Sequence, residues 1–164
     1  MIAPDRVQAA AAGLEKENLR FRSFLKGHAD QEELDRQIHQ LHSKLFSHYD
    51  CNKCRNCCRA YRTSLSESEI DGIAAYLGLS RQEFIESSLI EGNHGYELES
   101  PCRFLNTNGK CRIESCKPEE CRAFPYTDQP GRLWSLLGMV SFAEECPIVF
   151  EILERLKEIY RFRR

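Results

Sequence analysis

The spacing of apolar residues along the first 48 positions predicts a pair of helices. Apolar side chains recur at roughly helical intervals over residues 7–25, and a second apolar stripe covers residues 34–45. Between the stripes, Asp30 and Glu33 have the spacing of an N-terminal capping box. We therefore expect a helical hairpin over residues 5–48, and we interpret it as a packing or oligomerisation element rather than as a site of chemistry.

Capping and turn residues predict the elements of the central part of the chain. Two Ser-x-x-Glu capping boxes, at residues 66–69 and 80–83, each mark the start of a short helix. Residues 92–117 contain several glycine and proline residues and an Asn-Thr-Asn-Gly turn, a composition that is typical of short strands and a hairpin. Pro118 suits the first turn of another short helix.

The C-terminal part of the chain carries two apolar segments. Residues 132–140 are mostly apolar, and we interpret them as a buried strand. Pro147 begins a last helix, because proline is favoured in the first helical turn and apolar residues follow it at helical spacing. Together these segments predict a small single domain of the α+β class, mostly helical, with short β-hairpin elements.

Composition and charge argue against several classes of function. The chain has 164 residues, of which 41% are hydrophobic and 29% charged, and this is the balance of one globular domain. A formal net charge of −2 argues against nucleic-acid binding through a broad basic face. No apolar run is long enough to span a membrane, and the first residues lack the apolar stretch of a secretory signal. We therefore expect a cytoplasmic protein with no membrane and no nucleic-acid partner.

Nine cysteines are the most informative feature of the composition. An odd number cannot pair fully in disulfides, and in a reducing cytoplasm clustered thiols more often hold metal than form bridges. None precedes Cys51, four fall within residues 51–58, and the others lie among polar residues, glycine and proline rather than in apolar runs. This placement predicts a cysteine-rich metal centre around which the domain is organised.

The densest run, residues 51–58, reads Cys-Asn-Lys-Cys-Arg-Asn-Cys-Cys and contains two overlapping Cys-x-x-Cys steps. Such a step lets the chain turn so that both sulfurs face one metal ion. If the run is helical, a rotation of about 100° per residue places Cys51, Cys54 and Cys58 in one narrow arc. Cys57 then lies to the side of that arc, where it could complete this site or belong to a second one.

Cysteines later in the chain supply the rest of the predicted metal centre. Each lies at a turn or at the end of an element, where its side chain can project into a shared site. The predicted metal ligands are Cys51, Cys54, Cys57, Cys58, Cys102, Cys111, Cys121 and Cys146. We interpret Cys116 as an accessory thiol rather than a ligand.

These cysteine motifs resemble the YkgJ-like cysteine-cluster family of bacteria and archaea, which is described as zinc- or iron-chelating. The matching pieces follow the order of the family. They are the run at 51–58, Cys-Arg-Phe-Leu at 102–105, Cys-Arg-Ile at 111–113 and Cys-Arg-Ala-Phe-Pro at 121–125. Cys146-Pro147 is a weaker match at the end. The resemblance implies a metal-binding function carried by these cysteines.

The resemblance covers about residues 51–147, and it implies a division of the chain. The N-terminal helical hairpin, residues 1–50, is an extension that precedes a cysteine-cluster domain over residues 51–164. The sequence departs from the family pattern at Asn56, where the family usually has glycine. Asn can also adopt a positive φ angle, so we expect the turn to be kept at this residue.

The cysteines suit either of two metals. Zinc would accept eight thiolates as two tetrahedral sites. An iron–sulfur cluster also takes four cysteines, and the spacing from Cys51 to Cys57 resembles a ferredoxin-type run, although Cys58 follows at once. The cysteine motifs contain no histidine, which disfavours mixed-ligand zinc. On balance the pattern slightly favours an iron–sulfur cluster over zinc.

Other functions stay open on the sequence alone. A similar cluster occurs in flagellin lysine N-methylases, which suggests a cluster-dependent enzyme, but the chain has no glycine-rich nucleotide loop and no recognisable catalytic triad. A thiol redox protein is a second alternative, although a helix and not a strand is predicted before the first Cys-x-x-Cys step. A protein partner, or self-association through the N-terminal helices, is also compatible with the sequence.

Overall fold

The structure is a computed structural model that describes residues 1–93 and 95–162. Its helices are α1 (Val7–His28), α2 (Gln31–Phe46), α3 (Cys51–Cys54), α4 (Asn56–Ala60), α5 (Glu67–Leu77), α6 (Arg81–Ser88), α7 (Glu119–Ala123), α8 (Arg132–Phe142) and α9 (Pro147–Ile159). Its strands are β1 (Thr63–Ser64), β2 (Ile90–Gly92) and β3 (Gly95–Leu98). The predicted α+β class, mostly helical, is confirmed. Among the described helices, none combines the length and the apolar character that a membrane crossing requires.

The predicted N-terminal hairpin is present as α1 and α2. The Asp30 carboxylate caps α2 by accepting a hydrogen bond from the backbone N–H of Glu33 at 2.9 Å, as the capping spacing predicts. Each helix buries one face, so that Phe21 and Leu25 of α1 and Ile38 of α2 are fully buried. Periodicity located both helices because their apolar residues follow the 3.6-residue repeat.

Contacts along the chain divide it into two compact units. The helical unit consists of Met1–Asp50 and Pro125–Arg164, and the cysteine unit consists of Cys51–Phe124. Within the helical unit, α8 and α9 each contact both α1 and α2. The structure groups the residues beyond 124 with the N-terminal hairpin, because α8 and α9 bury their apolar faces there. The expected division into residues 1–50 and 51–164 stays a prediction.

Residues 132–140 lie in helix α8 and not in the predicted strand. Leu136, Met139 and Val140 are buried, whereas Trp134 and Leu137 are 74% and 55% exposed. A strand would place residues 136 and 139 on opposite faces, but a helical repeat places all three buried side chains together. The strand prediction was wrong because a short apolar run does not by itself distinguish a strand from a helix.

A buried ion pair joins two helices of the helical unit. Lys157 of α9 is 5% exposed and donates to Glu17 Oε1 of α1 at 2.7 Å and to Glu154 Oε1 at 2.5 Å. Glu17 is itself 9% exposed. Periodicity could not reveal this pair, because Glu17 and Lys157 are 140 positions apart in the sequence.

The cysteine unit contains a three-stranded antiparallel sheet in the order β1-β3-β2. Both predicted capping boxes are present at the starts of α5 and α6. The apolar core of the unit consists of Leu65, Ile70, Ile73, Ala74, Phe84, Leu98, Phe104 and Ile113. Half-buried Cys102, Cys111 and Cys116 pack against this core. The core therefore fixes the positions of three cysteines from the second half of the unit.

Candidate metal centre

The cysteine run folds as two short helices and not as the single helix on which the predicted arc depends. Cys51 and Cys54 lie on α3, whereas Cys57 and Cys58 lie on α4. Between the helices, Arg55 adopts a left-handed conformation with φ 57° and ψ 19°. The prediction that Cys51, Cys54 and Cys58 share one helical arc is therefore wrong, because this residue interrupts the helical repeat.

The positive φ angle falls on Arg55 and not on Asn56, where we expected it. Any residue with a Cβ pays a steric penalty in this conformation. The Arg55 guanidinium, 5% exposed, offsets the penalty with three hydrogen bonds. It donates to Gly109 O at 2.8 Å, to Glu114 Oε2 at 3.1 Å and to Asn52 Oδ1. These bonds join the cysteine run to the hairpin that contains Gly109.

We expect Arg55→Ala to destabilise the cysteine unit by about 3 kcal/mol, because it removes the hydrogen bonds of a buried cation and leaves the backbone strain. Arg55→Gly removes the same bonds but relieves the strain, so its cost should be about 1 kcal/mol smaller. Urea unfolding followed by circular dichroism measures both. Exposed Arg62→Ala serves as the control, and an alanine variant as stable as the glycine variant would contradict the account.

The hairpin turn has the predicted geometry. The N–H of Gly109 donates to Asn106 O at 2.9 Å, and Gly109 adopts φ +81°, which a residue without a Cβ reaches at no steric cost. A Cβ at this position would also lie only 3.1 Å from the Asn52 backbone oxygen. The glycine therefore allows the turn to approach the cysteine run closely.

Later segments of the cysteine unit bring three more thiols towards α4. The backbone N–H of Cys102 donates to Cys58 O at 2.8 Å. Cys111 follows the hairpin turn that Arg55 binds through Gly109. Cys121 lies on α7, with its sulfur 3.4 Å from the Thr63 hydroxyl of β1. Segments that are far apart in sequence thus meet within this unit.

Two backbone N–H groups anchor helix α7 and its cysteine. Glu120 of α7 accepts a hydrogen bond from the N–H of Ser64 at 2.9 Å. Glu69 of α5 accepts one from the N–H of Glu119 at 2.6 Å. Glu69 is also the carboxylate of the first capping box, so the residue that starts α5 also positions the start of α7.

Cys58 has a more acidic thiol than Cys102, Cys111 and Cys121. A hydrogen bond with the Cys57 thiol lowers the pKa of Cys58, burial opposes this effect, and the charges of Arg55 and Lys117 lower it further, to about 6. Cys58 is therefore mostly a thiolate at neutral pH. The thiolate is the form of cysteine that binds metal.

Three thiols around Cys58 have raised pKa values, in contrast to Cys58 itself. Burial raises the pKa of Cys121 to about 11, and negative charge on Cys58 and Cys102 adds to the shift. Burial and the same kind of repulsion raise the pKa of Cys102 and that of Cys111. We call Cys58, Cys102, Cys111 and Cys121 the thiol cluster. Negative charge on one of its sulfurs opposes ionisation of the others.

The donor chemistry of the thiol cluster fits a thiophilic metal. Four sulfur donors are the set that tetrahedral zinc and iron–sulfur clusters accept from proteins. All nine cysteines lie in the described part of the chain, and none of them forms a disulfide. Within residues 1–93 and 95–162, no three Cys, His, Asp or Glu side chains are already arranged as a metal-ligand set. A bound cation would supply the positive charge that lets the thiols with raised pKa values ionise.

A comparison with known protein families matches residues 50–147 to the CxxCxxCC family, described as "Putative zinc- or iron-chelating domain". The matched segment is more than half of the chain and includes the whole cysteine unit. The chain belongs to the CxxCxxCC family. The expected family resemblance is thereby confirmed over nearly the same residues. No solved structure matches the chain.

The other predicted ligands of the CxxCxxCC domain lie outside the thiol cluster. Cys51 is exposed and Cys54 half-exposed on α3, and Cys57 is hydrogen-bonded to Cys58. Cys146 belongs to the helical unit, where it is 9% exposed and immediately precedes α9. The structure thus places seven of the eight predicted ligands in one unit and Cys146 in the other.

Sequence reasoning missed the charged residues of the CxxCxxCC site. Arg55 and Lys117 both lower the pKa of Cys58, and Glu114 pairs with each of them, at 3.1 and 2.8 Å. A signal existed for Arg55, which stands inside the cysteine run. Lys117 is 59 positions from Cys58 by residue number, and only the fold makes them neighbours.

Proposed function

We propose that this CxxCxxCC protein binds a metal ion or cluster through the thiolates of the thiol cluster. One observation carries the proposal. The backbone N–H of Cys102 donates to Cys58 O at 2.8 Å, and burial, together with charge on Cys58 and Cys102, raises the pKa of Cys121, so thiols from segments far apart in sequence meet in one unit. Soft thiolates that converge on one point are the requirement for zinc and iron–sulfur sites. The family description supports the same chemistry.

Metal affinity should rise steeply with pH. Because the pKa values of Cys102, Cys111 and Cys121 are raised, these thiols hold their protons at pH 7, whereas Cys58 with a pKa of about 6 has mostly lost its own. Binding one ion at the cluster therefore releases roughly three protons near pH 7, and apparent affinity increases about 1,000-fold per pH unit. Zinc competition with a chromophoric chelator between pH 6.5 and 8 measures this slope.

The Cys121→Ser variant is the matched control for the slope. It removes the thiol with the highest pKa, so the number of protons released should fall by about one. If the unaltered protein released fewer than one proton for each ion bound, the thiol cluster would not supply the ligands.

For the metal itself, we propose an iron–sulfur cluster, with zinc as the alternative. An all-cysteine donor set suits both, and the lack of histidine within the cysteine motifs disfavours mixed-ligand zinc. Anaerobic purification followed by iron, zinc and labile-sulfide analysis tests the choice. A brown protein with equal amounts of iron and sulfide is the expected result. A colourless protein with stoichiometric zinc and no sulfide would rule out the iron–sulfur form.

We further propose that Cys51, Cys54 and Cys57 supply additional ligands. Cys51 and Cys54 share α3, one step apart in a Cys-x-x-Cys motif, and Cys57 lies beside Cys58. The metal content of the variant Cys51→Ser/Cys54→Ser decides the question. Loss of about half of the metal indicates a second ion, and unchanged content would exclude these two residues.

A thiol redox function is the second candidate, and the low pKa of Cys58 favours it. A thiolate beside a second thiol can attack a partner's disulfide, forming a mixed disulfide and releasing one partner thiolate, and the second thiol can then displace the other. The structure has helix α2 and not a strand before the cysteine run, so the thioredoxin-like context is missing there. Protein that is free of metal when isolated without oxygen would favour this candidate.

A further inference from the structure

A cleft of about 230 Å³ lies within the cysteine unit. It opens where the C-terminal ends of α5 and α6 meet the residues that follow Cys102 and Cys111. The cysteines themselves do not line it. The cleft therefore presents a different set of side chains from the thiol cluster, although it shares two chain segments with it.

Two arginines, Arg103 and Arg112, line this cleft. Neither forms an ion pair with an acidic side chain in the described part of the chain, whereas Arg55, Arg81 and Arg122 of the same unit all do. The Arg112 guanidinium lies over the Phe104 ring, 5.9 Å from its centroid, and this contact orients it. Two arginines without an acidic partner in this part of the chain, both lining one cleft, suit a ligand with negative charge.

Hydroxyl groups and an apolar wall complete the lining. Ser88 is 9% exposed, and its hydroxyl lies 3.0 Å from that of Ser87, which in turn donates to Phe84 O at 3.5 Å. A serine hydroxyl that rotates its hydrogen towards the cleft can donate to an oxyanion. Leu77, Leu79 and Phe104 are the apolar residues of the lining. A ligand that satisfies both parts must carry a negative group and an apolar group.

The volume of the cleft limits the size of the ligand. A water molecule in the liquid occupies about 30 Å³, so the cleft corresponds to roughly eight waters. This is below the range of about 300–1,000 Å³ that drug-sized ligands occupy. The cleft has room for one oxyanion with a single ring or a short chain.

We propose that the cleft binds a small amphipathic oxyanion, that is, a phosphate monoester or a carboxylate that carries one compact apolar group. The arginines bind the oxygens, the serine hydroxyls add hydrogen bonds, and the leucines and Phe104 cover the apolar group. The proposal does not rest on metal binding. It adds a small-molecule site to a domain whose family description names only metal.

Calorimetric titration of the full-length protein with phenyl phosphate tests the proposal. Saturable binding to one site is expected. Inorganic phosphate, which lacks the ring, and benzyl alcohol, which lacks the charge, should each bind at least about 10-fold more weakly. Benzoate tests whether the site binds a carboxylate. Its affinity, compared with that of phenyl phosphate, identifies the preferred oxyanion. Failure of both phenyl phosphate and benzoate to saturate would overturn the proposal.

Three arginine variants locate the binding. Arg103→Gln and Arg112→Gln should each lower the affinity at least about 10-fold, because each removes a charge-assisted hydrogen bond. The control Arg62→Gln changes an exposed residue outside the cleft. It should change the affinity for phenyl phosphate less than about twofold. Circular dichroism and metal content check that each variant folds as the unaltered protein does. If well-folded Arg103 and Arg112 variants bind phenyl phosphate as tightly as the Arg62 control, the site is not this cleft.

Discussion

Cys121→Ser is expected to lower the metal affinity of the protein at least about 100-fold, which is more than the loss of an outer-shell contact usually costs. Serine replaces a thiolate donor with a poor ligand, and Cys121 is a thiol whose pKa is raised by burial and by the charges of Cys58 and Cys102. Because metal binding and folding are coupled at sites of this kind, the metal-loaded cysteine unit should also lose stability. Metal-to-protein ratio after dialysis and thermal unfolding measure the two effects.

The matched control for this variant is Cys116→Ser. Cys116 is a half-buried thiol of the same unit, and burial and the charge of Cys111 raise its pKa, but it lies outside the thiol cluster. We expect Cys116→Ser to keep its metal. If the serine variant at residue 116 lost metal while that at residue 121 retained it, our assignment of the four cluster ligands would be wrong.

Lys157→Met is expected to destabilise the helical unit by about 3 kcal/mol, because removing one member of a buried ion pair leaves the other charge in a poorly solvated position. Glu17, which is 9% exposed and 2.7 Å from the Lys157 ammonium, loses this cation, as does the more exposed Glu154. Urea unfolding followed by circular dichroism measures the change, because the helical unit contains the long helices α1, α2 and α9.

A double variant and a surface control test the reason for this effect. Glu17→Leu/Lys157→Met replaces both charges with apolar groups and should recover most of the lost stability, since apolar replacement of a buried pair is often neutral. Arg36→Ala removes an exposed ion pair with Glu33 on α2 and should cost less than about 1 kcal/mol. A double variant that is no more stable than Lys157→Met would show that the charges are not the cause.

The local elements of the fold were largely predictable from the sequence. The helix starts at Asp30, Ser66 and Ser80 are each marked by an oxygen-bearing side chain and a glutamate three residues later, and all three side chains accept the expected backbone hydrogen bond. Capping signals of this kind involve residues only three or four positions apart, so the local sequence contains every residue that forms them. Residues 132–140 were the exception, because apolar runs suit a strand and a buried helix equally.

The geometry of the candidate site was less predictable. The sequence identified the cysteines, but it placed the turn of the run at Asn56. The structure places the positive φ at Arg55, because contacts with Gly109 and Glu114 stabilise the strained residue there. Those partners lie more than fifty positions away. Contacts with residues far away in the sequence thus decide which of two adjacent residues adopts the positive φ angle.

The sequence by itself determined which atoms are available to a metal and which family the protein belongs to, because thiol content and cysteine spacing are properties of the chain alone. Only the tertiary structure decided that Cys58, Cys102, Cys111 and Cys121 influence one another and that Lys117 adds positive charge beside them. Burial and Coulomb interactions depend on distances through space. The acidity of each thiol therefore follows from the packing of the cysteine unit and not from its order of residues.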